Sequence, residues 1–172
     1  ASLGEKIKQQ TIVINGVSKA YAMTGWRMGY VCAPKPIIAA MTKLHQFGIM
    51  SAPTTSQYAA VVAMNECDDE IESMRRQYDM RRRIMVKGFN DIGLTCNEPK
   101  GAFYAFPSVK NTGLSGEDFA EKLLKQEKVA VVPGSAFGTF GQNNVRMSYA
   151  TSMTALNQAF ERMSKFMKNI EK

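Results

Sequence analysis

One helical repeat near the middle of the chain does most to limit its architecture. From residue 70 to about 92 the apolar side chains Ile71, Met74, Tyr78, Ile84, Met85 and Phe89 recur near the helical period, with charged residues between them. The pattern predicts one long, half-exposed helix of the kind that links two domains. Before it, residues 11–15 are β-branched and end at the turn pair Asn15-Gly16, residues 29–33 form a second strand stopped by Pro34, and Pro36 opens a helix to about Phe47. Thr54 or Thr55 caps a helix to about Asn65, and Asp68 or Asp69 caps the long one. After Gly93 the texture changes to short strands at 94–96, 101–106, 129–132 and 144–149. Ser115 opens a helix in capping-box manner, with Asp118 in place of the usual Glu and Phe119, Leu123 and Leu124 on its apolar face. Thr154 caps a last amphipathic helix bearing Leu156, Phe160, Met163, Phe166 and Met167. The class is α/β, in two parts: 1–67, and 68–172 with the linking helix at about 68–92.

Composition narrows the function classes. With 172 residues, 45% of them hydrophobic, the chain can bury a core, so whole-chain disorder is excluded. The formal charge of +7 admits nucleic acid, anionic membranes or phosphate-bearing ligands. The arginines that would make a nucleic-acid stripe, Arg75-Arg76 and Arg81-Arg82-Arg83, are spread round the long helix with Asp79 among them and read as a solvated face, so no nucleic-acid partner is expected. Cys32, Cys67 and Cys96 are too scattered for a disulfide framework or a CxxC metal site, which fits a reducing, cytoplasmic setting. His45 is the only histidine, so a Ser-His-Asp triad or a multi-histidine metal site has little to work with, and no metal is expected. No apolar run reaches the roughly 20 residues that a membrane-spanning helix needs. The chain starts at Ala1 without an initiator Met and enters a strand pattern almost at once, so a fragment of a longer protein is expected.

The chemistry concentrates between the first two strands. Gly16 to Gly29 places Lys19 and Arg27 eight residues apart in a connector of small residues. An amine becomes a nucleophile or base only when its neutral form is favoured by burial or neighbouring cations. A guanidinium offers a planar donor fork suited to phosphate, and Gly25 and Gly29 allow backbone to come close to it. By themselves these are also what a surface loop contains. Arg146 lies between Val145 and Met147 on a strand, where a charge is costly without a partner, an acidic side chain being the plain structural one. Phe103 and Tyr104 either face an entrance or fill a core. The Gly-rich loop from Gly134 lacks the Lys-Ser/Thr ending of a P-loop and leads into a strand, so it reads as the rim of a site.

At these residues the sequence resembles the fold-type I, class I/II aminotransferases that use pyridoxal 5'-phosphate. Ser18-Lys19 followed by Gly25-Trp26-Arg27-Met28-Gly29 matches their lysine signature. The likeness continues through Gly101-Ala-Phe-Tyr, Val132-Pro-Gly-Ser-Ala-Phe-Gly and Asn144-Val-Arg146-Met-Ser-Tyr-Ala in the family's order and spacing, and it covers nearly the whole chain. The resemblance implies the C-terminal part of that fold: the last strands and helices of the large cofactor-binding domain, then the small α/β domain. It implies that Lys19 forms the aldimine with the cofactor and carries the proton between Cα and C4′. Arg27 and Ser18 then contact its phosphate, and Arg146 takes the α-carboxylate of the substrate. Where one branch of the family has a serine three residues before the lysine, this chain has Gly16, which leaves that phosphate contact to other residues.

The implied activity is amino transfer between an amino acid and a 2-oxo acid by a homodimeric parent protein, aspartate-type by overall likeness. The family's partner for the pyridine nitrogen, its ring-stacking aromatic and several phosphate donors all precede the lysine by many residues, so the chain alone is expected to be inactive. Related architectures carry out β-elimination, racemisation or ring closure, or serve as effector domains of transcription regulators. A non-catalytic packing or dimerising piece is the third alternative.

Overall fold

The computed structural model describes residues 1–170. After a single helical turn, α1 (Glu5–Lys8), the chain enters a two-stranded antiparallel hairpin of β1 (Val13–Gly16) and β2 (Gly29–Cys32), with Val13 opposite Cys32 and Gly16 opposite Gly29. The long connector between them is more ordered than a loop. It holds the one-turn helix α2 (Val17–Ala20) and a 3-10 turn at Thr24–Trp26. Helix α3 (Lys35–Gly48) follows with Pro34 at its N-cap and Pro36 in its first turn, where a missing N–H costs nothing. Although rich in apolar residues, α3 buries none of them, and Leu44 and Phe47 are largely exposed.

Helix α4 (Thr54–Glu66) starts one residue before the predicted cap positions take effect. Pro53 holds its N-cap, no side chain caps it, and Thr54 and Thr55 lie inside the first turn. In the same way α5 (Asp68–Asp91) begins at Asp68, so Asp68, Asp69 and Glu70 sit within the first turn. There they complement the positive end of the helix dipole instead of capping it. The chain divides into two compact units, Ala1–Ser73 and Met74–Lys172, with the division inside α5.

The second unit contains a three-stranded antiparallel sheet in the order β3 (Tyr104–Ala105), β5 (Val145–Ser148), β4 (Val132–Pro133). Tyr104 pairs with Ser148, Ala105 with Met147, Val132 with Arg146 and Pro133 with Val145. The expected strand at 94–96 is absent. Of those residues Leu94 N–H donates to Phe89 C=O at 2.9 Å and Cys96 N–H to the Asn90 side chain at 3.2 Å, both at the end of α5, while Thr95 C=O accepts from Ser108 N–H at 2.8 Å. The strand expected at 101–106 shrinks to Tyr104–Ala105, and the one expected at 129–132 shifts to Val132–Pro133, the positions that pair with β5.

Helix α6 (Gly116–Glu127) is capped as predicted, with Ser115 Oγ accepting from Asp118 N–H at 3.0 Å. Phe119, Ala120 and Leu123 are buried on it, whereas Leu124 is half exposed and not part of the apolar face. The last helix, α7 (Met153–Ile170), is capped two residues earlier than expected, Ser152 Oγ accepting from Ala155 N–H at 3.1 Å. Its buried Leu156, Met163 and Phe166 join Met85 and Phe89 of α5, Phe119 and Leu123 of α6, and Val145 and Met147 of β5 in one core. The first unit has a much smaller buried cluster, Val17, Met23, Ala60 and Ala63. The Glu127 carboxylate, almost fully buried, is paired with Lys165 at 3.0 Å and ties α6 to α7.

Candidate functional site

The connector that carries Lys19 is fastened at both ends. At its base Gly16 faces Gly29, and the strands approach so closely that a Cβ on Gly29 would lie 3.2 Å from the Asn15 carbonyl oxygen. Gly29 therefore serves the pairing of the strands, while a Cβ on Gly25 would meet nothing within 4 Å. Below the connector, Val17 and Met23 pack on Ala60 and Ala63 of α4. Ser56 Oγ donates to the Trp26 carbonyl at 2.7 Å, fixing the far side.

On this base α2 presents Lys19 to the exterior and leaves Ser18 half buried. Arg27 ends the following 3-10 turn in a left-handed conformation, φ 52°, and its Nη1 donates to the Thr24 carbonyl at 2.8 Å. Ala22 is also left-handed, φ 53°. A non-glycine residue in that region costs on the order of 1 kcal/mol or more, and such strain clusters at ligand-binding loops. Sequence gave no sign of it, since neither position is a glycine or an asparagine. The loop thus carries an amine, a hydroxyl and a guanidinium, residue types suited to a ligand with both a carbonyl and a phosphate.

Arg146 lies in the second unit, on β5. Its neighbours Val145 and Met147 point into the core, so Arg146 and Ser148 occupy the opposite face and Arg146 is only half buried. The cost expected for a charge in an apolar strand is reduced accordingly. Among the described residues no acidic side chain pairs with it. Instead its guanidinium carbon stands 4.2 Å from the Tyr104 ring centre and 4.1 Å from that of Phe137. Tyr104 is therefore neither simple core nor simple entrance. Phe137 was not singled out by sequence reasoning; its signal was the Gly-rich loop around it.

That loop is held by glycines in mutual contact, Cβ positions on Gly134 and Gly141 each falling 2.3 Å or less from the other's carbonyl oxygen. Its glycines answer packing needs. The arginine face of α5 is engaged in ion pairs: Arg82 bridges Asp79, at 2.7 Å, and Glu98, and Arg83 pairs with Asp79 at 2.8 Å. His45 is exposed on α3. Among the described residues no helix is long and apolar enough to cross a membrane.

The aminotransferase class I and II family matches residues 1–163. This chain belongs to that family. Among aminotransferases of known sequence it is 46% identical to an aspartate aminotransferase of Pyrococcus abyssi over 93% of this chain and 42% of the relative. It is 44% identical to an aromatic-amino-acid aminotransferase of Thermococcus litoralis over the same shares of the two chains. The solved structure of an aromatic aminotransferase from Pyrococcus horikoshii superposes with a TM-score of 0.91 at 44% identity, over 98% of this chain and 45% of that one. The fold is accordingly α/β, the C-terminal part of the aminotransferase fold. The chain spans less than half the length of the curated relatives that it matches.

Proposed function

We propose that the full-length protein to which this chain belongs transfers amino groups between an amino acid and a 2-oxo acid, with pyridoxal 5'-phosphate as cofactor. The observation that carries this reading is the strained, glycine-closed connector that sets Lys19, Ser18 and Arg27 on one small base. The donor set fits a phosphorylated aldehyde. Lys19 would hold the cofactor's aldehyde end through its amine, and as a free amine it would move the proton at the substrate Cα. Arg27 and Ser18 hold the phosphate, and Arg146 orients the substrate through its α-carboxylate. The cofactor, when bound, supplies the electron sink that makes loss of the Cα proton feasible.

Residues 1–67 fit the end of a larger cofactor-binding domain and residues 68–172 a smaller C-terminal one. Leu44, Phe47 and Ile14 are largely exposed in the first unit, which supports a domain whose remaining sheet and helices lie elsewhere in the parent protein. The parent is read as a cytoplasmic homodimer of aspartate type, with no nucleic-acid or membrane partner, and the chain alone as inactive.

The test is an assay of amino transfer from aspartate, alanine and phenylalanine to 2-oxoglutarate by the full-length protein and by the 172-residue chain, each with excess cofactor. Transfer by the former and none by the latter is expected. Elimination products without transfer by the full-length protein would overturn the reaction type. Turnover by the short chain at the full-length rate would overturn its inactivity.

A further inference from the structure

Arg146 is held in an unusual way for a charge. Register puts it there: Tyr104 pairs with Ser148, so Arg146, two residues earlier on the same face of β5, is the diagonal cross-strand neighbour of Tyr104. From the other side comes Phe137, carried by the 3-10 turn Gly134–Phe137. That turn is locked in three ways. Gly134 and Gly141 lie in carbonyl contact, Gly134 N–H donates to the Asn144 carbonyl at 2.8 Å, and Ser135 Oγ donates to Glu117 at 2.8 Å. Further rings back the two that touch the guanidinium. Phe106 stands edge-on to Phe137 with centres 6.1 Å apart, and Phe103 lies 4.7 Å from Tyr104.

A guanidinium flanked by rings keeps its full charge, because an aromatic face attracts a cation without accepting its N–H donors in plane as a carboxylate does. The rings also remove water from beside the charge and limit the rotamers open to a long side chain. Both effects lower what an incoming anion must displace and reorder.

We propose that Tyr104 and Phe137 are positioning residues that hold the Arg146 guanidinium oriented for the α-carboxylate of the substrate. The inference rests on the assignment of Arg146 to that carboxylate. Each ring acts through the arginine, so its removal weakens discrimination between an amino acid and the same amine lacking a carboxylate, a ratio that general loosening of the fold would leave in place.

The experiment uses the full-length holoenzyme with phenylalanine and phenethylamine as amino donors, following the first half-reaction by the cofactor's absorbance. Tyr104→Leu and Phe137→Leu should each narrow the preference for the amino acid about threefold, and the double variant about tenfold. Tyr104→Phe, which keeps the ring, should retain the wild-type ratio, and thermal unfolding of each variant verifies its fold. In an Arg146→Ala background the ring substitutions should add nothing. An unchanged ratio in the double variant, with Arg146→Ala collapsing it, overturns the role of the rings and leaves the role of Arg146 standing. An unchanged ratio in Arg146→Ala overturns both.

Discussion

Gly16 and Gly29 face each other across the base of the connector that bears Lys19 and Arg27, and a side chain fits at neither without a small shift of the facing backbone. A Cβ on Gly16 would stand 3.3 Å from the Met28 carbonyl oxygen, and one on Gly29 3.2 Å from that of Asn15. Backbone on the facing strand has to move to admit it. Gly29→Ala should therefore cost about 1–3 kcal/mol locally and loosen the loop that it closes. In the full-length protein the expected readout is weaker cofactor retention on dialysis, with the overall circular-dichroism spectrum preserved. Gly48→Ala, in open space outside this loop, is the control and should retain cofactor as the wild type does.

A tighter constraint acts at the rim. A Cβ on Gly134 would fall 2.3 Å from the Gly141 carbonyl oxygen and 2.7 Å from that of Asn144. No rotamer relieves such contacts, because backbone lies on both sides. Gly134→Ala should lower the thermal midpoint of the second unit by several degrees and displace Phe137 from Arg146. Differential hydrogen exchange over residues 134–141 checks the displacement, with faster exchange expected in the variant.

Acid should weaken the brace at Arg82. Hydrogen bonds from its guanidinium hold the Asp79 and Glu98 carboxyls below their usual range, and the same two bonds raise the pKa of Arg82. A carboxyl depressed by folding contributes stability that is complete above its unfolded pKa and vanishes as pH falls through its folded one. Thermal midpoints measured between about pH 5 and pH 2 should fall through this window, and Arg82→Gln should flatten part of the fall. Because Glu98 is exposed and Asp79 and Arg82 are only partly buried, the effect is modest and shrinks in high salt.

The two arginines should fail differently. Arg146→Ala should lower kcat/KM for an amino acid at least roughly tenfold with little change in cofactor affinity, since a charge-assisted pair is lost only when substrate binds. Arg27→Ala should weaken the cofactor first. Steady-state kinetics and cofactor titration on the same preparations separate the roles, and one shared pattern for both variants would refute them.

What the sequence made legible was whatever depends on a period or a motif. The long helix follows from the spacing of Ile71 to Phe89, and the hairpin from β-branched runs ending at Asn15-Gly16 and Pro34. The short strands were overread, because whether residues 94–96 pair as a strand depends on a competing bond to the Asn90 side chain that no local pattern reveals. Capping was missed at Thr154 for a related reason. Several residues there can cap, and Ser152 is the one that does. Lys19, Ser18, Arg27 and Arg146 could be nominated from their motifs. The left-handed backbone of Arg27 had no local signal, and the Gly-rich loop around Phe137 marked a rim without showing that its ring would stand beside Arg146.

The central claim is that Lys19 is the residue that holds the cofactor. Its most direct test is to treat the full-length protein, loaded with pyridoxal 5'-phosphate, with borohydride and map the modified peptide by mass spectrometry. The expected result is a single phosphopyridoxyl adduct on Lys19, absent from Lys19→Ala, which should also show almost no turnover. An adduct on Lys43 or any other lysine in place of Lys19 would contradict the account.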